Sequence, residues 1–297
     1  MRRTAALGLV GLVAASVACL EPAGPSPVYS AGTAVYSVLE VGSALVRVVA
    51  ESYLETGRQP LSGATGIVSS PGGSATLTEA VDSLLACFQA KGGINIGGDE
   101  GCLAGLLPQP VAAGDPLTLR LDLPDGRVIR GSLLSPGVPI ASIPADSQRV
   151  TARFQSDPLA IAIVPVVLDS APGAERVEVI AEVERAFSGG GGATIDPWRC
   201  EVSSAAPPFR RPLLQGAHDF NLHGVICLVD GSEVGWDSLD LSLHVVAMEV
   251  NYATYRDLAH GSSSLDVTRA GFGVDGAVGV FGAVATAVVP LRVVYQP

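Results

Sequence analysis

Apolar and polar positions alternate along much of this chain with the period of a β-strand. The clearest case is 117–123, where four leucines alternate with Thr118, Arg120 and Asp122. Successive strand side chains point to opposite faces, so one face of this segment is buried and the other wet. Pro124-Asp125-Gly126 turns the chain, because proline presets φ and glycine takes the positive-φ position. Arg127-Val128-Ile129-Arg130 then returns as the hairpin partner. Residues 46–50 predict an earlier strand, followed by 60–68 and a turn at Pro71-Gly72-Gly73. In 177–184, Val177, Val179, Ala181 and Val183 alternate with Glu178, Ile180, Glu182 and Glu184. That near-strict period and the β-branching favour strand over helix. The nearly continuous apolar run 159–168 predicts a buried strand, with Pro165 at an edge or bulge. Segments 222–229, 239–250 and 291–295 complete the set. In 239–250 the apolar phase slips at Val245-Val246, which predicts a bulge.

Two segments carry helical spacing instead. Thr76 and Glu79 fit a capping box, and Val81, Leu84, Leu85 and Phe88 recur at helical intervals. Lys91-Gly92 suits that helix's end and puts Cys87 in its last turn. The second segment is 252–260, stopped by Gly261. The expectation is a mainly β protein of two β-sandwich-like domains, with one short helix in the first domain. The first domain runs 34–145 and the second 148–297. Pro136, Pro139 and Pro144 mark the linker between them, since proline suits neither helix interior nor sheet centre.

Composition sharpens this picture. The 297 residues include 35 Gly and 21 Pro, enough turn formers to punctuate many short strands. Net charge is −11, so phosphate backbones are repelled and nucleic acid is excluded as an expected partner. The N-terminus changes the picture most. Arg2 and Arg3 precede a short apolar stretch, and Ser16-Val17-Ala18-Cys19 leads into a segment rich in Pro, Gly and Ser. A basic start, an apolar core and small residues before a cut site make a secretory signal. Residues 1–18 are the expected signal peptide and 19–33 a tether.

Four cysteines follow Cys19, and an even number in an exported chain predicts two disulfides. Pairing within each domain favours Cys87 with Cys102 and Cys200 with Cys227. Without any Cys-x-x-Cys pair, a metal site is not expected.

Candidate chemistry is sparse. Gly271-Phe272-Gly273-Val274-Asp275-Gly276 matches G-x-G-x-x-G, but no acidic residue stands ~20 positions on, within 291–297. Glycines packed against another backbone explain it better, and no cofactor is expected. The apolar run 276–289 is too short for a membrane span and predicts core strands. His218 and His223 fall on opposite strand faces, His244 on a solvated face, and His260 stands apart, so no three metal ligands converge. Glu178, Glu182 and Glu184 read as a solvated strand face, and Asp99-Glu100 as a loop tip. No serine sits in G-x-S-x-G. Trp198 and Trp236 are expected to pack around the Cys200–Cys227 bridge, in preference to forming a carbohydrate platform.

The segment ending at Cys19 resembles the lipobox of bacterial lipoproteins, apart from Ser16 where that pattern prefers Leu. The resemblance implies cleavage before Cys19 and a diacylglyceryl thioether on its sulfur. Leu20 follows, with no Asp to retain the protein at the inner membrane, so the outer membrane is expected. A wider resemblance joins Cys19, Pro60-Leu61-Ser62-Gly63-Ala64-Thr65, Ala113-Gly114-Asp115-Pro116-Leu117-Thr118-Leu119, Asn251-Tyr252-Ala253-Thr254-Tyr255 and Gly276-Ala277-Val278-Gly279-Val280-Phe281-Gly282. In this order they resemble an uncharacterised family of bacterial outer-membrane lipoproteins, often encoded beside TonB-dependent receptors. Residues 77–103 depart from that pattern as an insertion. The resemblance implies an immunoglobulin- or transthyretin-like first domain and transfers no catalytic residue. The functional expectation is a lipid-anchored accessory or binding protein of the cell envelope, meeting an outer-membrane receptor or transporter. The alternatives are an envelope hydrolase with a site in the second domain and a purely structural envelope protein.

Overall fold

The computed structural model describes residues 32–54, 57–80, 101–152, 162–188, 193–205, 209–210, 215–261 and 271–295. In the first half, β1 (Gly32–Glu40), β2 (Leu45–Leu54), β3 (Gly57–Pro60), β4 (Thr65–Ser70) and β5 (Gly73–Glu79) come in quick succession. Next are β6 (Cys102–Leu106), β7 (Pro116–Asp122), β8 (Val128–Leu134) and β9 (Ile140–Ser142). The second half has β10 (Arg149–Ala152), β11 (Ala162–Ser170), β12 (Arg176–Ser188), β13 (Ala193–Ile195), β14 (Cys200–Ala205) and β15 (Phe209–Arg210). It continues with β16 (Gly216–Val229), β17 (Ser232–Val234), β18 (Ser238–Met248) and the helix α1 (Val250–Gly261). β19 (Gly271–Phe272), β20 (Val274–Asp275) and β21 (Val278–Tyr295) follow. The protein is mainly β, in two sheets arranged like a sandwich.

The long sheet runs β13-β12-β18-β21-β1-β2-β6-β5-β4-β7-β8-β20, and the small one β14-β16-β11-β9. The long sheet bends back on itself. β20 pairs with β8 and β19 pairs with β21, with only Gly273 between those two short strands. Val35, Val48, Leu77, Leu103, Leu121 and Phe281 fill the space so enclosed. A second core lies between the β12–β18–β21 half and the small sheet. Val164, Phe220, Trp236, Leu241, Leu243 and Leu291 belong to it.

β21 joins the two cores. Its first part pairs in parallel with β1, from Val278 opposite Ala34 to Val284 opposite Glu40. Its later part pairs antiparallel with β18, ending at Val294 opposite Ser238. Eighteen residues at ~3.3 Å each span up to about 60 Å. This one strand therefore starts beside the first residues of β1 and ends at Tyr295, next to β18's start at Ser238.

Several expectations need correction. Thr76 and Glu79 lie in β5, which pairs with β4 from Gly66–Leu77 to Ser70–Gly73, so they do not cap a helix. Alternation at Ala75 and Leu77, both buried, outweighs the capping signal. Residues 81–91 and Cys87 lie outside the described residues. The helix that the structure describes is α1, at the position of the second helical segment. Val245 and Val246 form no bulge, because β18 pairs with β21 in unbroken register from Ser238 to Met248. Both residues are buried because the sheet is covered on both faces. Val245 enters the second core, while Val246 packs with Tyr252, Ala253 and Val280 beneath α1. The register shift falls on β12 instead, between Val183 and Arg185.

Within the run 276–289, residues 278–289 are strand, part of β21. The Gly271–Gly276 run supplies close backbone approach: a Cβ on Gly271 would stand 2.5 Å from the carbonyl oxygen of Ala277.

Candidate functional site

Two surfaces concentrate reactive side chains, one toward each end of β21. The first is an open cleft of about 740 Å³ on the outer face of β4, β7, β8 and β20. Strand alternation that buries Leu117, Leu119 and Leu121 turns Thr118, Arg120 and Asp122 outward. Antiparallel pairing then builds rows across the strands. Ser69, Thr118 and Ser132 form one row, and Ile67, Arg120, Arg130 and Asp275 form the next.

Arg120 and Arg130 are directly opposite each other, and both are exposed. Like charges facing across neighbouring strands repel. Asp122 offsets part of this, its carboxylate accepting from Arg120 Nη2 at 2.7 Å and Nε at 3.1 Å. The Arg120 hydrogen bond holds the Asp122 carboxyl below its ordinary pKa. Arg130 has no hydrogen bond or ion pair among the described residues, and its register neighbour Asp275 forms none with it. The cleft therefore offers a guanidinium fixed by Asp122, a second one without a hydrogen bond, a row of hydroxyls and the Asp275 carboxylate at its β20 edge. Such a set binds anions by forked hydrogen bonds.

The cleft lies near the end where the described chain begins. The turn joining β7 to β8 reaches β1, where Arg127 Nη2 donates to Thr33 Oγ1 at 3.0 Å. The Arg120–Arg130 row is one step of two residues, about 7 Å, from the Asp122–Val128 pair that leads into this turn.

The second surface is at the other end. Cys200 and Cys227 are opposite each other on β14 and β16 and form a disulfide. Just before Cys200, the turn Pro197–Arg199 carries Trp198, which is 77% exposed. The Arg199 guanidinium stacks 4.7 Å from the Trp198 ring centre and stands 3.7 Å from Asp230. Of the two tryptophans expected around the disulfide, only Trp236 is buried, with Nε1 donating to the carbonyl oxygen of Val225. Trp198 faces out because a tight proline-led turn lifts it off the strand. Tyr295 packs edge-on against Trp236 and donates its backbone N–H to Asp237, which fixes this region to the far end of β21.

Between these ends, buried charge holds α1 against the sheet. Glu178 pairs with Arg176 and with Arg256 of α1, and Arg176 also pairs with Asp257. Glu178 is thus not on a solvated face, since α1 covers it. Glu249 caps α1: its carboxylate accepts from the backbone N–H groups of Asn251, Tyr252 and Ala283. Burial raises its pKa, against the opposing pull of those three donors. His244 is only 14% exposed beside Glu182, so it is not solvated as its strand position suggested.

Of the residues singled out from sequence, Cys200 and Cys227 are brought together, and Cys102 is also disulfide-bonded. Cys19 and Cys87 lie outside the described residues. His218 and His223 are both on β16 and His244 is on β18; no metal-ligand group of three forms among the described residues. No described helix is long and apolar enough to cross a membrane. The Arg120–Arg130 pairing was missed, although the turn at 124–126 together with a count along both hairpin arms leads to it. No protein-family model matches this chain, and no curated protein is significantly similar to it.

Proposed function

We propose that this protein is a lipid-anchored accessory protein of the bacterial cell envelope that binds a partner through its distal end. The anchor is the thioether lipid on Cys19, and the expected partner is an outer-membrane receptor or transporter. Disulfide chemistry at Cys200 and Cys227 supports an exported, oxidising location. The observation that carries the reading is the separation along β21. Gly32, at the end of the expected tether where β1 begins, is at one end, and exposed Trp198 with Arg199 is toward the other. Tryptophan and arginine dominate the energetics of protein interfaces, because each combines large contact area with hydrogen bonding. A protein held at one end presents such residues outward.

The test is photocross-linking in the native host, with a photoreactive residue at position 198 and a control at the exposed position Glu184. A discrete adduct from 198, absent from 184, supports the proposal. Absence of any adduct from 198 overturns it. Trp198→Ala should cut capture of the same partner at least tenfold while leaving the melting temperature unchanged.

A further inference from the structure

We infer that the Arg120–Arg130 cleft docks on anionic lipid headgroups of the membrane that holds Cys19, laying the β7–β8 side of the protein against the bilayer. The inference rests on the anchoring proposed above. Three observations carry it.

The first is charge. The chain is acidic overall, at −11, yet this cleft sets two guanidinium groups side by side with hydroxyls from Ser69, Thr118 and Ser132. The acidic groups nearby are accounted for. Asp122 is engaged by Arg120 and feels the charge of Arg130, Asp125 pairs with Arg127, and the exposed Asp275 carboxylate lines the cleft opposite Arg130, so a headgroup phosphate competes with it for that guanidinium. A phosphate beside Arg130 would take a forked hydrogen bond from its guanidinium and further reduce the repulsion between the two arginines, while Arg120 keeps its Nε–Nη2 edge on Asp122.

The second is reach. Thirteen residues, 19–31, separate the proposed lipid from Gly32. Fully extended they span at most about 45 Å. Because Arg127 binds Thr33, the β7–β8 turn is beside the point where this segment enters the fold. The Arg120–Arg130 row therefore stays within reach of the headgroups throughout.

The third is shape. The cleft is a shallow sheet face, and a pocket for a free small molecule would normally enclose most of its ligand. A surface of packed headgroups needs no enclosure. The individual contacts are weak, and overall negative charge opposes binding from solution. A short tether changes this by raising the local headgroup concentration to the millimolar range. Docking thus follows anchoring and sets the tilt at which Trp198 is presented.

The experiment uses the protein purified from native membranes and returned to vesicles. A bimane label is placed at Ser132→Cys, and in a second sample at Glu233→Cys in the distal hairpin. Quenching by headgroup-nitroxide lipid is read in phosphatidylcholine vesicles with and without 30% phosphatidylglycerol, a composition chosen at about the level of an anionic leaflet. The expected result is at least threefold stronger quenching at 132 than at 233 with phosphatidylglycerol, and a return to the phosphatidylcholine level in Arg130→Gln. Arg130→Lys should keep about half of the effect. Arg130 is exposed and unpaired, so neither variant disturbs the fold. Equal quenching at 132 and 233, or quenching unaffected by Arg130→Gln, overturns the inference. Submillimolar binding of inorganic phosphate would assign the cleft to a free anion, and a protein adduct from position 132 in cells would assign it to a partner; either overturns it. Intact mass separates the two proposals. An unmodified Cys19 removes the anchoring and this inference together, whereas a lipidated Cys19 without quenching at 132 removes the inference alone.

Discussion

At the residue scale, Glu249 is the most consequential ionisable group. It is 3% exposed and satisfies two backbone N–H groups at the start of α1 and a third, that of Ala283, in β21. Glu249→Ala would leave those donors without it and should cost about 1–3 kcal/mol in chemical denaturation. Its pKa is raised by burial, so the sign of its pH effect is fixed. Its stabilising contribution is complete below the ordinary glutamate range and is lost as pH rises through the raised folded value. Wild-type stability relative to Glu249→Gln should therefore increase as pH falls from neutrality toward 5. A pH-independent difference would contradict this. Tyr252, packed beside it under α1, is pushed up to about 12 by burial. Phenolate absorbance should show a component ionising near pH 12 that Tyr252→Phe removes, until the fold itself gives way.

Among the elements, β21 depends on a close approach to β1. Gly279 has φ +106 and is opposite Val35, and a Cβ there would overlap the Val35 carbonyl oxygen. Gly279→Ala combines a left-handed backbone with a backbone clash and should cost at least about 2 kcal/mol. Thermal unfolding measures it directly. This position lies where β1 joins the chain's beginning to its end, so the loss should propagate into the first core through Val35 and Phe281. Burial on both faces explains why β18 misled by its pattern. Period-two alternation marks a strand with one wet face, whereas Val245 and Val246 line two separate cores. Pattern alone cannot distinguish a bulge from a sheet covered on both sides.

For the whole molecule, two cores share one strand, so damage to either is felt along β21. Breaking the Cys200–Cys227 bridge, which spans 27 residues, should lower stability by about 3.5 kcal/mol in the chain-entropy model. A Cys200→Ser, Cys227→Ser double variant should lose that amount by denaturant titration and expose the second core first. Hydrogen exchange would then rise in β14 and β16 before β7 and β8. Equal rises in both would mean that the cores unfold as one unit.

The sequence by itself determined the local features: strands at 117–123, 177–184 and 291–295, the turn at 124–126, the helix before Gly261, and the favoured pairing of Cys200 with Cys227. These depend on alternation, turn chemistry and counting, which act between neighbours in the chain. Only the tertiary structure decided which faces are buried twice, that Thr76 and Glu79 are in a strand, and that Arg120 and Arg130 stand side by side. It also decided that Trp198 is exposed while Trp236 is buried, and that Glu178 is covered. Each of these depends on what packs across from a residue, and contacts made at long sequence separation leave no trace in local periodicity.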